Sequence, residues 1–379
     1  MKLLPNLLRR CIVLACAAVL PLAPFASIAG EVKVGLLGNL TGRAATSFGV
    51  PFKNGFELAL ADIAKSGVLA PTKTTIVVQP LDTNSEVTKA VTSFNQFAQQ
   101  RLPIVVSDSQ SPIGQAVAPL ANDAKIAFIS GAGSQLENKG GYAFRLADLK
   151  TSTSNVGKHL IAQGAKRVGA IVATDNPSFP TLAAGTLEGL GVNYVSTQNV
   201  TTKDSNFSAV LTNLKAANID ALVLSVLPEQ AGNIIQQMVG AGMQNVKLAG
   251  TLATSPQTFT IAGKAATGLV FPQAWAPGGS RSAAFEAAYK QKYNATPTAY
   301  AGLGYQVAWL IAAAAADVEK AGKPLTGENL RTALPAASTG PLVAKHGILD
   351  LQLTPTGEAI SAGTLARFAD NGDIVSAGK

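Results

Sequence analysis

The chain has 379 residues, is 47% hydrophobic and only 14% charged, and sets 30 Lys and Arg against 22 Asp and Glu for a formal net charge of +8. No run of Lys or Arg is longer than two, so the clustered basic face that nucleic acid requires is missing and no nucleic-acid partner is expected. Only two cysteines, Cys11 and Cys16, and two histidines, His159 and His346, are available for thiolate or zinc chemistry.

The first element is a leader. Arg9 and Arg10 precede an apolar run over residues 11–20, a Pro-broken stretch follows, and Ser27, Ile28 and Ala29 put small residues at −3 and −1. Basic, apolar, then small is the order of a secretory signal peptide, with cleavage expected after Ala29. The apolar run is too short to span a bilayer. Cys16 matches a lipoprotein box only loosely, because the apolar core continues past it, and Leu8 and Cys11 do not suit a twin-arginine signal. Removal of residues 1–29 takes away both cysteines together with Lys2, Arg9 and Arg10, which leaves 27 Lys and Arg against 22 Asp and Glu, net +5. About 350 residues without a disulfide must then be held by hydrophobic cores, and that length suits two lobes better than one. No later apolar stretch reaches membrane-spanning length; the longest, 307–316, reads as a buried helix.

Beyond the leader, apolar runs of strand length alternate with stretches of helical period, which indicates an α/β architecture with parallel sheets. In a first series strands are expected at 32–37, 75–81, 104–107 and 126–130, with helices at 48–65, 86–100 and 112–124. After Phe144-Arg145-Leu146 a second series has strands at 168–173, 193–195, 221–226 and 246–250 and helices at 179–190, 207–217 and 228–241. The strands are almost continuously apolar, as strands are when helices cover both faces. From Ser280 the alternation stops. Helices at 283–293, 299–321 and 326–334 come in succession, then strand-like pieces at 347–353 and 365–368. Such a tail cannot close a core of its own, so it is expected to complete the first lobe and then the second. The division reads as a signal peptide (1–29), a first Rossmann-like lobe (30–148 plus 274–345) and a second (149–273 plus 346–379).

Enzymatic signatures are missing. There is no HExxH, GxSxG or P-loop, and the glycines at 35, 38 and 42 fail the dinucleotide spacing. His159 lies mid-helix and reads as a surface residue. The expectation is a binder with no cofactor, no metal and no catalysis.

Ligands in open α/β sheets sit outside the carboxyl ends of the strands. Two such ends carry small, hydroxyl-rich turns: Ser107-Asp108-Ser109-Gln110-Ser111-Pro112 and Ser130-Gly131-Ala132-Gly133-Ser134. Both offer N–H groups and hydroxyls, and the first opens a helix, so together they could hold a carboxylate without a cationic side chain. Each Ser could instead simply cap its helix; two such turns on adjacent strands favour a site.

The stretch Val34 to Gly42, then Phe48-Gly49 and Asn54-Gly55 leading into residues 59–62, resembles the opening of the leucine/isoleucine/valine-binding proteins. These are type I periplasmic binding proteins of ABC importers. The resemblance continues in order through Asp82, Ser111, Ile129-Ser130-Gly131-Ala132, Phe144-Arg145, Phe207-Ser208, Leu214-Lys215, Ile219-Asp220, Pro228-Glu229 and Ile261-Ala262-Gly263. No single motif is specific, but the ordered series is; the part after Gly340-Pro341 matches more loosely. The resemblance implies two lobes joined by a three-strand hinge, with a cleft that closes over its ligand. It also implies a periplasmic location, a small-molecule carboxylate ligand, and the permease and ATPase subunits of an inner-membrane importer as partners; a monomer is expected.

In relatives a Ser and backbone groups of the second turn hold the ligand carboxylate, which corresponds here to Ser111, Ala132 and Ser134, with Gln110 and Gly133 alongside. Phe48 matches the first-loop aromatic, Phe179 falls where a second-lobe aromatic is expected, and Val226, Tyr300 and Tyr305 are candidate walls. The two second-lobe carboxylates that hold a ligand ammonium in relatives correspond to Lys150 and to Thr251 or Leu252. No Asp or Glu occurs between Gln230 and Phe285. A buried ammonium without its counter-charge costs on the order of 3–5 kcal/mol, so a hydrophobic or aromatic acid is expected rather than a free amino acid. Asp148 could supply the missing charge, and a cleft-facing Lys150 would suit a second anionic group or a phenolic oxygen. Two alternatives stay open: a conventional Leu/Ile/Val binder, and a ligand-sensing domain for a membrane receptor.

Overall fold

The computed structural model describes residues 30–377 apart from 43, 109–110, 134, 147–148, 253–254, 274, 276, 279–280 and 362–363. The leader, Gln110, Ser134 and Asp148 therefore lie outside the described residues, as does the side chain of Lys150.

The first lobe begins with β1 (Glu31–Gly38), a π-type turn (Ala45–Gly49) and α1 (Val50–Ser66). It continues with β2 (Thr75–Asp82), α2 (Val87–Gln99), β3 (Ile104–Ser107), α3 (Ser111–Ala124), β4 (Ala127–Ser130) and β5 (Ala143–Arg145). Its sheet has the order β2-β1-β3-β4-β5, parallel throughout. Parallel neighbours need crossover helices, and these cover the sheet; every residue of β3 and β4 is buried.

The second lobe follows with α4 (Leu149–Ala162), β6 (Val168–Ala173), α5 (Ser178–Leu190), β7 (Ser196–Val200), α6 (Ser208–Ala216), β8 (Ala221–Ser225), α7 (Pro228–Gly240), β9 (Lys247–Gly250), α8 (Pro256–Ala262) and β10 (Val270–Gln273). Two expectations shift here. The edge strand β7 lies at 196–200 rather than 193–195: its residues are polar up to Val200, with half-buried and exposed positions alternating, while the more apolar Val192 and Val195 stay about half exposed, at 50% and 42%. β10 goes unanticipated because Pro272 interrupts its short apolar run.

The chain then returns to the first lobe through α9 (Ala283–Tyr293), α10 (Ala299–Lys320), α11 (Gly327–Ser338), α12 (Pro341–His346) and a hairpin of β11 (Leu351–Leu353) and β12 (Ala359–Ser361). It ends with β13 (Thr364–Phe368) and β14 (Ile374–Ser376), which extend the second sheet antiparallel to β10 to give the order β14-β13-β10-β9-β8-β6-β7. The crossing back falls later than 346. Gln306 of α10 accepts the N–H groups of Ile348 and Leu349 at 2.8 and 3.1 Å, and Arg145 donates its N–H to Gly357 O at 2.8 Å while its guanidinium pairs with Glu358. Residues 347–361 are thus tied to the first lobe, and only the segment from β13 onward joins the second sheet. The chain passes between the lobes three times, after β5, after β10 and after β12.

α10 is the spine of the first lobe. It is 22 residues long and apolar enough to cross a membrane by length and composition, contrary to the expectation above, yet 89% of its most apolar window is buried inside the protein. Thr298 caps its start by accepting Ala301 N–H at 3.4 Å. It lies almost backbone to backbone against α1, since a Cβ at Gly55 would sit 1.9 Å from Ala301 O and one at Gly304 2.0 Å from Phe52 O. Only glycine permits that approach.

Candidate functional site

The carboxyl ends of the two sheets face each other, and the turns there are braced before they meet. Asn39 donates its backbone N–H to Asp108 Oδ2 at 2.8 Å and its side-chain amide to the other carboxylate oxygen, and Thr83 donates to Asn39 Oδ1 at 2.8 Å. Asp82 accepts N–H groups of Leu40, Thr41 and Asn84 at 2.9–3.1 Å. Burial alone would raise the Asp82 carboxyl, but hydrogen bonds from Thr41, Asn84 and Leu40 outweigh it and hold the group below its ordinary value. The loops after β1, β2 and β3 are thus fixed to one another, and Asp82 and Asp108 act as struts rather than ligand groups.

On this frame Ser111, Ala132 and Gly133 come together. Ser111 is 1% exposed, and its Oγ accepts Gly133 N–H at 3.0 Å. Ala132 N–H points to Ser130 Oγ at 3.2 Å, and Ser107 Oγ donates to Ser130 Oγ at 2.9 Å. The N–H donors of the second turn are therefore held by the hydroxyls of Ser130 and Ser111. Behind the turn Arg145 donates to Gly133 O at 3.1 Å and is neutralised by Glu358, so it orients the turn without placing a bare cation in the cleft.

Phe48, on the π-type turn, is 2% exposed and meets Tyr300 edge to face, ring centroids 4.6 Å apart. Tyr300 opens α10, which brings it to the same end of the lobe. Tyr305 does not join them. Its hydroxyl donates to Asp62 Oδ2 at 2.9 Å, three turns or more along α1, and its ring packs on Phe285 at 4.7 Å, so it belongs to the helix packing away from the cleft.

In the second lobe Phe179 and Val226 are buried, and the Phe179 carbonyl accepts Ser225 Oγ at 2.7 Å. Thr251 is fully buried, with its Oγ1 2.7 Å from Ser225 Oγ, so its hydroxyl braces the β8 and β9 ends. His159 sits half-buried on α4 beside Gln163. Among the described residues no group of three His, Cys, Asp or Glu side chains could hold a metal ion.

Apart from Ser111, the lobes touch through residues the sequence did not single out as site residues. Ser178 Oγ donates to Ser111 Oγ. Ser47 Oγ donates to Glu229 Oε1 and lies 3.1 Å from Ser255 Oγ. Glu229 stands in the first turn of α7. Burial pushes its carboxyl up, and the Ser47 hydrogen bond only partly offsets this. At the end of β10, Gln273 is 2% exposed and neither atom of its amide has a hydrogen-bond partner among the described residues. The rule that led to Ser111, a polar residue just past a buried strand, applies equally to Ser178 and Glu229 and could have found both.

Residues 31–373 match the family described as periplasmic binding protein. The Leu/Ile/Val-binding protein homolog 3 of Brucella melitensis biotype 1 is 25% identical over 258 residues, 66% of this chain and 69% of that protein. The branched-chain amino acid transporter substrate binding protein LivJ from Streptococcus pneumoniae, solved in complex with isoleucine, superposes with a TM-score of 0.78 at 21% identity, over 91% of this chain and 98% of that one. A solute binding protein of an ABC transporter from R. palustris, in complex with benzoate, superposes with a TM-score of 0.74 at 18% identity, over 92% and 96%. With a family match over nearly the whole described chain and the same two-sheet architecture, this chain belongs to the periplasmic binding protein family, in its type I, branched-chain amino acid branch.

Proposed function

We propose that this protein is exported to the periplasm, captures a small hydrophobic or aromatic carboxylate by lobe closure, and delivers it to the permease and ATPase subunits of an ABC importer. The observation that carries the ligand class is the pairing of a hydroxyl and backbone cradle at Ser111, Ala132 and Gly133 with the Phe48–Tyr300 wall. The two positions where relatives place an acid for an ammonium hold Lys150 and Thr251 or Leu252, none of them acidic, and the Thr251 hydroxyl is occupied with Ser225. Without a counter-charge an ammonium there would lose on the order of 3–5 kcal/mol, a hundredfold or more in affinity. Benzoate in the R. palustris neighbour is an acid of this class.

The second reading is a Leu, Ile or Val ligand, favoured by the Brucella relative and by the isoleucine in the pneumococcal neighbour. A thermal-shift panel separates the two. Leu, Ile and Val are compared with benzoate, hydroxycinnamates and aliphatic keto acids at equal concentration, where a ligand at 100 times its dissociation constant adds about 2.7 kcal/mol of stability. Stabilisation by the deaminated acids alone supports the first reading. Stabilisation by the amino acids alone replaces it with the second.

A further inference from the structure

Glu229 belongs to a second interlobe contact, separate from the Ser111–Ser178 pair. Its Oε1 accepts from Ser47, the residue before Phe48, so the carboxylate stands at the flank of the aromatic wall. Its Oε2 is out of contact with solvent and has no hydrogen-bond partner among the described residues. The groups meeting at this point are hydroxyls, Ser47 and Ser255. A carboxylate oxygen withdrawn from water and left without a donor is uncommon in a folded protein. Where the two lobes meet, it marks a place where a bound ligand can supply the donor.

We infer that Glu229 is a specificity-determining residue of the cleft, whose Oε2 accepts a hydrogen bond from a hydroxyl group carried by the carboxylate ligand. The ligand is then a substituted acid, with one end on the Ser111 cradle and a donor on Glu229. Because Ser47 holds the other oxygen from the opposite lobe, engagement of the donor and closure of the cleft reinforce each other. The burial that pushes the Glu229 carboxyl up is relieved by the same donor. This inference rests on the carboxylate reading given above.

The test uses matched pairs that differ only in the donor: benzoate with 4-hydroxybenzoate, and 4-methylpentanoate with 2-hydroxy-4-methylpentanoate. Binding is measured by calorimetry on the unmodified protein, on Glu229→Gln and on Glu229→Leu. The expected result is that one donor-bearing acid binds at least tenfold tighter than its bare partner and that Glu229→Leu brings the two within twofold. Glu229→Gln keeps an acceptor oxygen and should lose only a few-fold of the hydroxyl's advantage. Pairs that bind the unmodified protein equally, or bare acids that bind more tightly, overturn the inference while leaving the carboxylate reading intact. An advantage that survives in Glu229→Leu also overturns it. Failure of every acid to bind removes the carboxylate reading and this inference with it.

Discussion

Ser111→Ala is the substitution that separates a ligand cradle from a helix cap. Ser111 is 1% exposed, and its Oγ accepts both the Gly133 N–H at 3.0 Å and the Ser178 hydroxyl from the other lobe. Removing that oxygen strands two donors in a dry setting, at about 1–3 kcal/mol for each buried polar group left unsatisfied. The ligand-free protein should lose stability on that scale, less where water can enter. The bound state loses more, because a hydrogen bond to a charged group is worth roughly 1.5–3 kcal/mol. At a factor of ten for each 1.4 kcal/mol, affinity for the best acid of the panel falls about ten- to a hundredfold. Isothermal titration gives the affinity, and a melt in the same buffer gives the stability. Ser107→Ala is the control. Its hydroxyl also sits in the cradle's hydrogen-bond chain, 2.9 Å from Ser130 Oγ, but one step behind the turn. It should cost stability while changing affinity less than about threefold, as expected of a site with no ligand contact. A Ser111→Ala protein that binds within twofold of the original would show that Ser111 only caps α3. So would a Ser107→Ala protein that loses as much affinity as Ser111→Ala.

Gly304→Ala should lower the urea midpoint by an amount equivalent to about 1–3 kcal/mol or more, because the added methyl would stand 2.0 Å from Phe52 O and force α1 and α10 apart; an unchanged midpoint would mean the two helices are not so closely seated. Gln273→Leu should raise the stability of the ligand-free protein by about 1–2 kcal/mol, since it removes a buried amide with no partner among the described residues; a lower melting temperature would show that the amide is satisfied. Asp82→Asn should be destabilising only above the ordinary carboxyl range. The folded Asp82 carboxyl is depressed, so its contribution is present above the unfolded value of about 3.9 and disappears as pH falls through the folded value. Melting curves of the two proteins should therefore differ near pH 7 and converge in strong acid, and a constant difference across that range would contradict the assignment.

Most of the strands that were legible are buried; the exception is the edge strand β2, half exposed but with an apolar Ile76-Val77-Val78 run. β1, β3, β4, β6, β8 and β9 fall within about two residues of their expected ends, since a short apolar run closed by polar turns can only be satisfied inside a covered sheet. Legibility fails where burial is one-sided or borrowed. β7 is an edge strand with polar Gln198 and Asn199. β10 carries a proline, and the β11–β12 hairpin is held by Arg145 and Gln306 rather than by any pattern of its own. The apolar stretch at 307–316 reads as a buried helix and is one, with α10 packed closely against α1; only its full apolar length was underestimated.

For the site, sequence was enough to place the two hydroxyl turns and Phe48 at strand ends, because that position depends only on where each strand stops. It could not place Tyr305, which chose Asp62 over the cleft, because two tyrosines five residues apart lie on different faces of one helix. Nor could it find the groups that close the cleft. Ser178 meets Ser111 across 67 positions, Glu229 meets Ser47 across 182, and Ser255 meets Ser47 across 208. Hydrophobic period is a local property that the chain carries wherever it folds. A hydrogen bond across the cleft exists only once two separately built lobes have been set at one particular angle, and that angle is decided by the three crossings and the tertiary packing around them.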